Sequence, residues 1–191
     1  AKQGDDLRID WGYFYMVAGK ENTAYSVGNS TELRKNFVNG TLNSASLEGE
    51  DSNGNMALVR SYGKVKNVTD KIMLGYDDIY SIQYFGTNLR PYWNSKGDRT
   101  IEAEMLAAYN EYDKLLARCY AFDKKLMEDA SAAGGKEYAE LCALAYRQSI
   151  AAHKLVEAPN GDLLWLSKEN NSNGCINTVD LTYPLAPLYL I

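Results

Sequence analysis

The amino-acid sequence predicts an α+β chain, with a β-rich front half over residues 1–95 and a helical-hairpin segment over residues 96–191. Two patterns carry this division. Apolar residues alternate with period two in the front half, and beyond Thr100 they recur at helical spacing. The third observation is composition: 191 residues, 46% hydrophobic and 24% charged, can bury one good core.

Period two is clearest in residues 7–17 (LRIDWGYFYMV). Ile9, Trp11, Tyr13 and Tyr15 fall on one side, and Arg8, Asp10 and Gly12 on the other. Residues 19–55 are polar and rich in Gly, Asn and Ser, which reads as loops with one or two short strands. Residues 56–62, 71–76 and 79–85 read as further strands, with β-branched and aromatic residues between turn-forming breaks.

The character changes after Trp93. Residues 94–97 form a break, and Thr100 can cap a helix with Glu102 and Glu104 in its first turn, where the helix dipole favours anions. Met105, Tyr109, Tyr112, Leu116 and Cys119 follow at 4-3-4-3 spacing, a stripe continuing towards Leu126. Gly134 and Gly135 end it. A second helix carries Tyr138, Leu141, Cys142, Ala145, Ser149, Ala152, His153 and Val156 on one face and stops near Pro159, Asn160 and Gly161. Two helices with a short glycine link form an αα-hairpin, and both stripes are expected to be buried. Residues 163–166 are a short strand. Residues 167–187 are polar and loop-like, and the apolar run 188–191 creates the expectation that the natural protein continues.

Several function classes are excluded on this reading. The net charge is −5, and Lys and Arg are scattered without a basic stripe, which argues against a nucleic-acid partner. No apolar run reaches the roughly 20 residues of a membrane span. Cys119, Cys142 and Cys175 stand with a single histidine, His153, so no zinc site can be assembled, and no cofactor is expected. Tyrosine is abundant, 15 against 4 Phe, which suits half-wet surfaces facing polar small molecules.

The strongest candidate for chemistry is residues 167–187. Glu169 and Asp180 can supply two carboxylates, one to activate water and one to protonate a leaving group. Asn170, Asn171, Asn173 and Tyr183 can orient a polar substrate; the alternative is an ordinary solvated loop. Cys175 is a thiol that would need a base or a positive neighbour, with His153 the sole histidine. Asp77 and Asp78 can hold calcium or face a substrate, although two adjacent acids fall far short of a calcium loop, and the alternative is that they form turns or cap helices. Arg147, on the second helix, can hold a substrate carboxylate through a bidentate contact or join a surface salt bridge.

Four blocks in this order, RIDWGYFYMVAG, LGYDDIYSIQYFGTNLRPYW, AELCALAYRQSIAAHKLV and LSKENNSNGCINTVDLTYPLAP, resemble the glutaminase A family of fungal secreted glutaminases and their bacterial relatives, notably from gut Bacteroidetes. The similarity runs from about Leu7 to Ile191. It implies a larger protein, with a sandwich-like N-terminal β domain followed by six helical hairpins in an α/α toroid. This chain would then hold edge strands of the sandwich, the connecting section and the first hairpins of an incomplete toroid. The resemblance also implies a secreted or periplasmic hydrolase that converts L-glutamine to glutamate and ammonia without a cofactor. Its partners would be a small-molecule substrate and the remainder of the parent chain, and this piece alone is expected to be inactive. Because six-hairpin folds also host glycoside hydrolases, the alternatives are a glycosidase-like enzyme or a glycan-binding scaffold. Where the resemblance leads to an aromatic residue after SKEN, this chain has Asn171.

Overall fold

The computed structural model describes residues 12–42, 55–169 and 174–187. The chain divides into two compact units, Tyr15–Gly75 and a second made of Ala1–Phe14 with Tyr76–Ile191. Most strands lie in the front half and most helical residues in the back, so the α+β class holds.

In the Tyr15–Gly75 unit, β2 (Thr23–Gly28) pairs antiparallel with β3 (Asn55–Arg60), Thr23 opposite Arg60 and Gly28 opposite Asn55. Strand β1 (Tyr13–Val17) pairs with β4 (Met73–Asp77). The expected strand at 7–17 is therefore seen in its second half, and residues 7–11 lie outside the described residues. The guanidinium of Arg60 donates to Thr23 Oγ1 at 2.8 Å and to the Gly19 carbonyl, and it pairs with Asp70. Hydrogen bonds from Tyr62, then from the Lys71 backbone, together with the Arg60 charge, hold the Asp70 carboxyl below its ordinary range.

One element here departs from the sequence reading. Residues within 19–55 include a helix, α1 (Ser30–Val38), where loops and short strands were expected. Its cause is local: Asn29 Oδ1 accepts from the Thr31 N–H at 2.9 Å, and Glu32 sits in the first turn. Leu33 supplies its buried contact.

The second unit is organised by two β-hairpins. The first joins β5 (Ile82–Tyr84) to β6 (Thr87–Leu89), so the strand expected at 79–85 begins only at Ile82. Ile79 has φ 59, and Asp77 Oδ1 accepts from its N–H at 2.9 Å, a turn that delays the strand. The second hairpin joins β7 (His153–Glu157) to β8 (Leu163–Ser167), with Val156 opposite Leu164 and Lys154 opposite Leu166. Ile82 and Leu89 from one hairpin cluster with Val156 and Leu166 from the other, and Tyr84, Leu164 and Ile176 pack around them. That cluster is the core.

Between the hairpins lie the helices. Thr100 Oγ1 accepts from the Ala103 N–H at 3.3 Å and caps α2 (Ile101–Asn110), as its sequence predicts. The long helix α3 (Tyr112–Ala151) has two arms separated at Gly135, whose φ of 84 and ψ of −179 reverse the chain at the position marked by the double glycine. The arms pack antiparallel, with the rings of Phe122 and Tyr146 5.1 Å apart. The αα-hairpin is thus present, with two corrections. Its second arm ends at Ala151, so His153 and Val156 belong to β7 rather than to a helical face. Pro159, Asn160 and Gly161 are instead the turn of the β7–β8 hairpin, closed by bonds between Ala158 and Asp162 and from Gly161 to Ala158. The stripes are buried only in part: Met105 and Ser149 are buried, while Tyr138 and Leu141 are 48% and 62% exposed. The groove between the arms, about 1120 Å³, is apolar along Leu115, Phe122, Leu126, Met127 and Ile150.

Ile82 has no exposed surface and no room to relax, so Ile82→Ala should lower stability by about 2–5 kcal/mol. Leu144→Ala in the same chain should cost less than about 0.5 kcal/mol. Urea unfolding midpoints of the two variants check this, and equal shifts would show that the core is misplaced.

Candidate functional site

Strand β8 ends in Ser167, and the chain beyond it folds back onto it. Asn177 Oδ1 accepts from the Ser167 N–H at 3.0 Å and from its hydroxyl at 3.3 Å, while the Asn177 N–H donates to the Ser167 carbonyl at 3.1 Å. Asn177 has φ 50, a left-handed conformation that asparagine tolerates better than most residues. Lys168 bridges to Ile176, and the Glu169 N–H donates to the Cys175 carbonyl at 2.9 Å. These contacts lay residues 175–177 beside the end of β8 as a short return strand, and Glu169, half-buried, lies opposite it just beyond β8.

Side chains lock the return. Lys168, only 4% exposed, donates from Nζ to the Gly174 carbonyl at 2.6 Å. The Ser167 hydroxyl is 3.3 Å from that of Thr182 on α4 (Val179–Leu185), a short helix within residues 167–187, where the sequence suggests only loop. Helix α4 turns Asp180 and Tyr183, three residues apart on one face, towards solvent, and Tyr183 is 80% exposed.

An ion pair ties β7 to the segment before β5. Asp78 accepts from Lys154 Nζ at 2.9 Å and from the Ser81 hydroxyl at 2.8 Å, with Asp78 and Ser81 almost fully buried. Its carboxylate joins the segment before β5 to β7. Asp77 is spent on its turn with Ile79. On the other face of β7, the His153 ring stacks on Trp165 at 5.0 Å, and Nδ1 lies 2.5 Å from the Ser149 carbonyl. At its far end, hydrogen bonds from Lys96 and then Ser95 hold the Glu157 carboxyl below its usual range.

A cavity of about 490 Å³ adjoins the return strand. The β5–β6 turn, residues 83–86, lines one side, and Gly174, Cys175, Ile176 and Thr178 line the other. Cys175 thus links the cavity wall to Glu169 through the backbone bond between them. Arg147 lies elsewhere, exposed at the groove between the arms of α3 beside Arg118. Asn173, with Asn170 and Asn171, lies outside the described residues. Among the described residues, no three His, Cys, Asp or Glu gather as a metal site would require. No described helix is long and apolar enough to cross a membrane.

Two family matches cover most of the chain. Residues 1–129 match a domain of unknown function, DUF5127, and residues 135–191 match the glutaminase A six helical-hairpin domain. The chain belongs to the glutaminase A family. Among curated relatives of this family, glutaminase A of Aspergillus oryzae is 28% identical over 96% of this chain and 28% of its own length. A probable glutaminase of Arthroderma benhamiae is 26% identical over 96% of this chain and 23% of its own. The chain therefore spans about a quarter of the length of these relatives. No solved structure matches it.

Sequence reasoning singled out Glu169, Asp180 and Tyr183 but missed Lys168, Lys154 and Asn177, which hold the segment that carries them. The signal for the first two was present in the alternation of β7 and β8, which turns Lys154 towards the side of Val156. Removing Lys154 should strand the buried Asp78 carboxylate. Lys154→Met should cost about 3–5 kcal/mol, and adding Asp78→Leu should recover most of that loss in a double-mutant cycle of urea midpoints. Asn177→Ala should loosen the return strand, so that trypsin cleaves after Lys168 sooner than in the unmodified protein; an unchanged cleavage time would mean that Asn177 does not hold it.

Proposed function

We propose that this chain contributes the base-bearing wall of an extracytoplasmic amidohydrolase, secreted or periplasmic, which converts the side-chain carboxamide of L-glutamine or a similar compound to carboxylate and ammonia. The observation that carries the reading is Glu169. It is half-buried, at the end of a core strand, and its backbone is tied down by the Cys175 carbonyl. A base so fixed can hold an attacking water in one geometry, which is where much of the rate gain of a hydrolase resides. The names carried by the fungal relatives support the choice of carboxamide.

In this mechanism Glu169 takes a proton from water as its oxygen bonds to the carboxamide carbon. The tetrahedral centre then collapses, the C–N bond breaks, and the nitrogen leaves as ammonia after receiving a proton. Asp180 or Tyr183, adjacent on the open face of α4, would deliver it. Arg147 has no part in this scheme, because its groove is lined by the arms of α3 rather than by the return strand. The exposed apolar face of those arms is where the remainder of the parent protein would pack.

The test is ammonia release from L-glutamine by the full-length protein carrying this chain. Glu169→Gln should reduce kcat by about a hundredfold or more, while Asp180→Asn should cost less because Tyr183 stands beside it. Full activity in Glu169→Gln would sink the mechanism. Turnover of aryl glycosides with no ammonia release would replace it with a glycosidase.

A further inference from the structure

We propose that the cavity between the β5–β6 turn and residues 174–178 is a binding site for a neutral sugar, seated on the ring of Phe85. The site is separate from the base assignment, because Glu169 is not among the residues that line it.

The first ground is Phe85. It is 92% exposed, so its ring adds almost nothing to the core. It also holds the first central position of a two-residue hairpin turn, with φ 44, before Gly86 with φ 80. That position favours Asn, Asp or Gly, and a bulky side chain there is strained. Folding gains little from this ring and loses by its backbone, which points to a contact with a ligand. The Tyr84 ring meets it edge-on, with centroids 4.6 Å apart and planes at 76°, and restrains it. A Cβ on Gly86 would meet nothing within 4 Å, so the space beside the turn is open.

The second ground is the chemistry of the walls. The cavity is about 490 Å³, within the ordinary range of small-ligand sites, and none of the described residues lining it is charged. A charged ligand would leave water there without a partner, which is costly. A wholly apolar ligand would instead cover polar groups, because the Gln83 amide and the Thr178 hydroxyl belong to lining residues. Gln83 Nε2 donates to Asn88 Oδ1 at 3.1 Å, which orients the amide and leaves its carbonyl oxygen as an acceptor. Thr178 stands at the start of α4, yet its side chain makes no capping bond, so its hydroxyl can donate or accept. A sugar ring meets both demands. Its C–H face carries slight positive charge and lies well on the negative face of an aromatic ring, while its edge hydroxyls both donate and accept.

The experiment is calorimetric titration of the full-length protein carrying this chain with maltose, cellobiose, lactose and mannobiose. At least one should bind saturably, in the millimolar range or tighter. Digalacturonate, of similar size but anionic, should bind at least about tenfold more weakly than that sugar. Phe85→Ala should weaken the sugar by about tenfold or more, and Phe85→Tyr should keep it. Thr178→Val should weaken it by about two- to tenfold, the loss of one hydrogen bond. Thermal midpoints check that each variant is folded, which an exposed turn residue should not disturb. No saturable binding of any of the four sugars, or binding that Phe85→Ala leaves intact, would overturn the proposal. Nicotinamide binding in their place, also lost in Phe85→Ala, would overturn the sugar in favour of a flat aromatic ligand. Neither readout involves ammonia release, so failure here and failure of Glu169 as the base are told apart.

Discussion

The contact between the two β-hairpins is the constraint on which the second unit depends. Ile82 and Val156 have no exposed surface, and with Leu89 and Leu166 they fix β5–β6 against β7–β8. Short strands are marginal alone, since a two-stranded hairpin in water gains too little burial to offset its lost conformational entropy. Each hairpin here is stable because the other covers its apolar face. Lys154 and Asp78 extend the same seam in polar form, with the Asp78 carboxylate buried and the Lys154 ammonium partly open to water, and the burial of one partner strengthens their attraction. A buried ion pair is a weak source of net stability but punishes any displacement that separates the charges. It therefore fixes the position of the two segments more than it strengthens their union.

The return strand inherits that rigidity. Ser167 is the last residue of β8 and 1% exposed, and Asn177 reads its backbone and hydroxyl together. Lys168 and Glu169 are adjacent and face in opposite directions along an extended chain, a consequence of strand pleating. The buried lysine anchors one end of the loop at Gly174, while the glutamate remains partly open. A side chain carried this way has a fixed backbone because its neighbours in sequence are committed to the core. The order of residues in SKE thus has a physical meaning: a hydroxyl for the return strand, an amine for the loop, and a carboxylate for the solvent side.

How much of this was legible in the sequence follows from the range of each interaction. Thr100 as a cap and Gly135 as the reversal are local events, and both could be read from a few residues. The helix α1 was equally local, with Asn29 as cap and Glu32 three residues on, but its polar composition masked it behind an abundance of Asn and Ser. The second helix was extended too far because Ala152, His153 and Val156 continue its apolar spacing. The end of that helix is set by pairing with β8, a contact ten or more residues away that periodicity does not encode. Glu169, Asp180 and Tyr183 stood out as polar groups in a polar segment. The ties from Asp78 to Lys154 and from Lys168 to Gly174 did not, because they depend on which faces meet across the hairpins.

The open apolar face of α3 follows from the same logic. Within the second unit the core lies between hairpins, and the helical arms contribute little to it: only Ala130, Ala139 and Ser149 are buried along α3. Large side chains such as Leu141 and Leu144 remain in water although the arms are spaced as burial would require. Hydrophobic spacing on a helix marks an apolar face, and it does not say what covers that face. The chain spans about a quarter of the length of its fungal relatives. The β-hairpin pair is different in kind, because its two apolar faces are both present and satisfy each other. That difference places the fixed geometry of the second unit at β8 and its return strand, and it leaves the α3 groove open among the described residues.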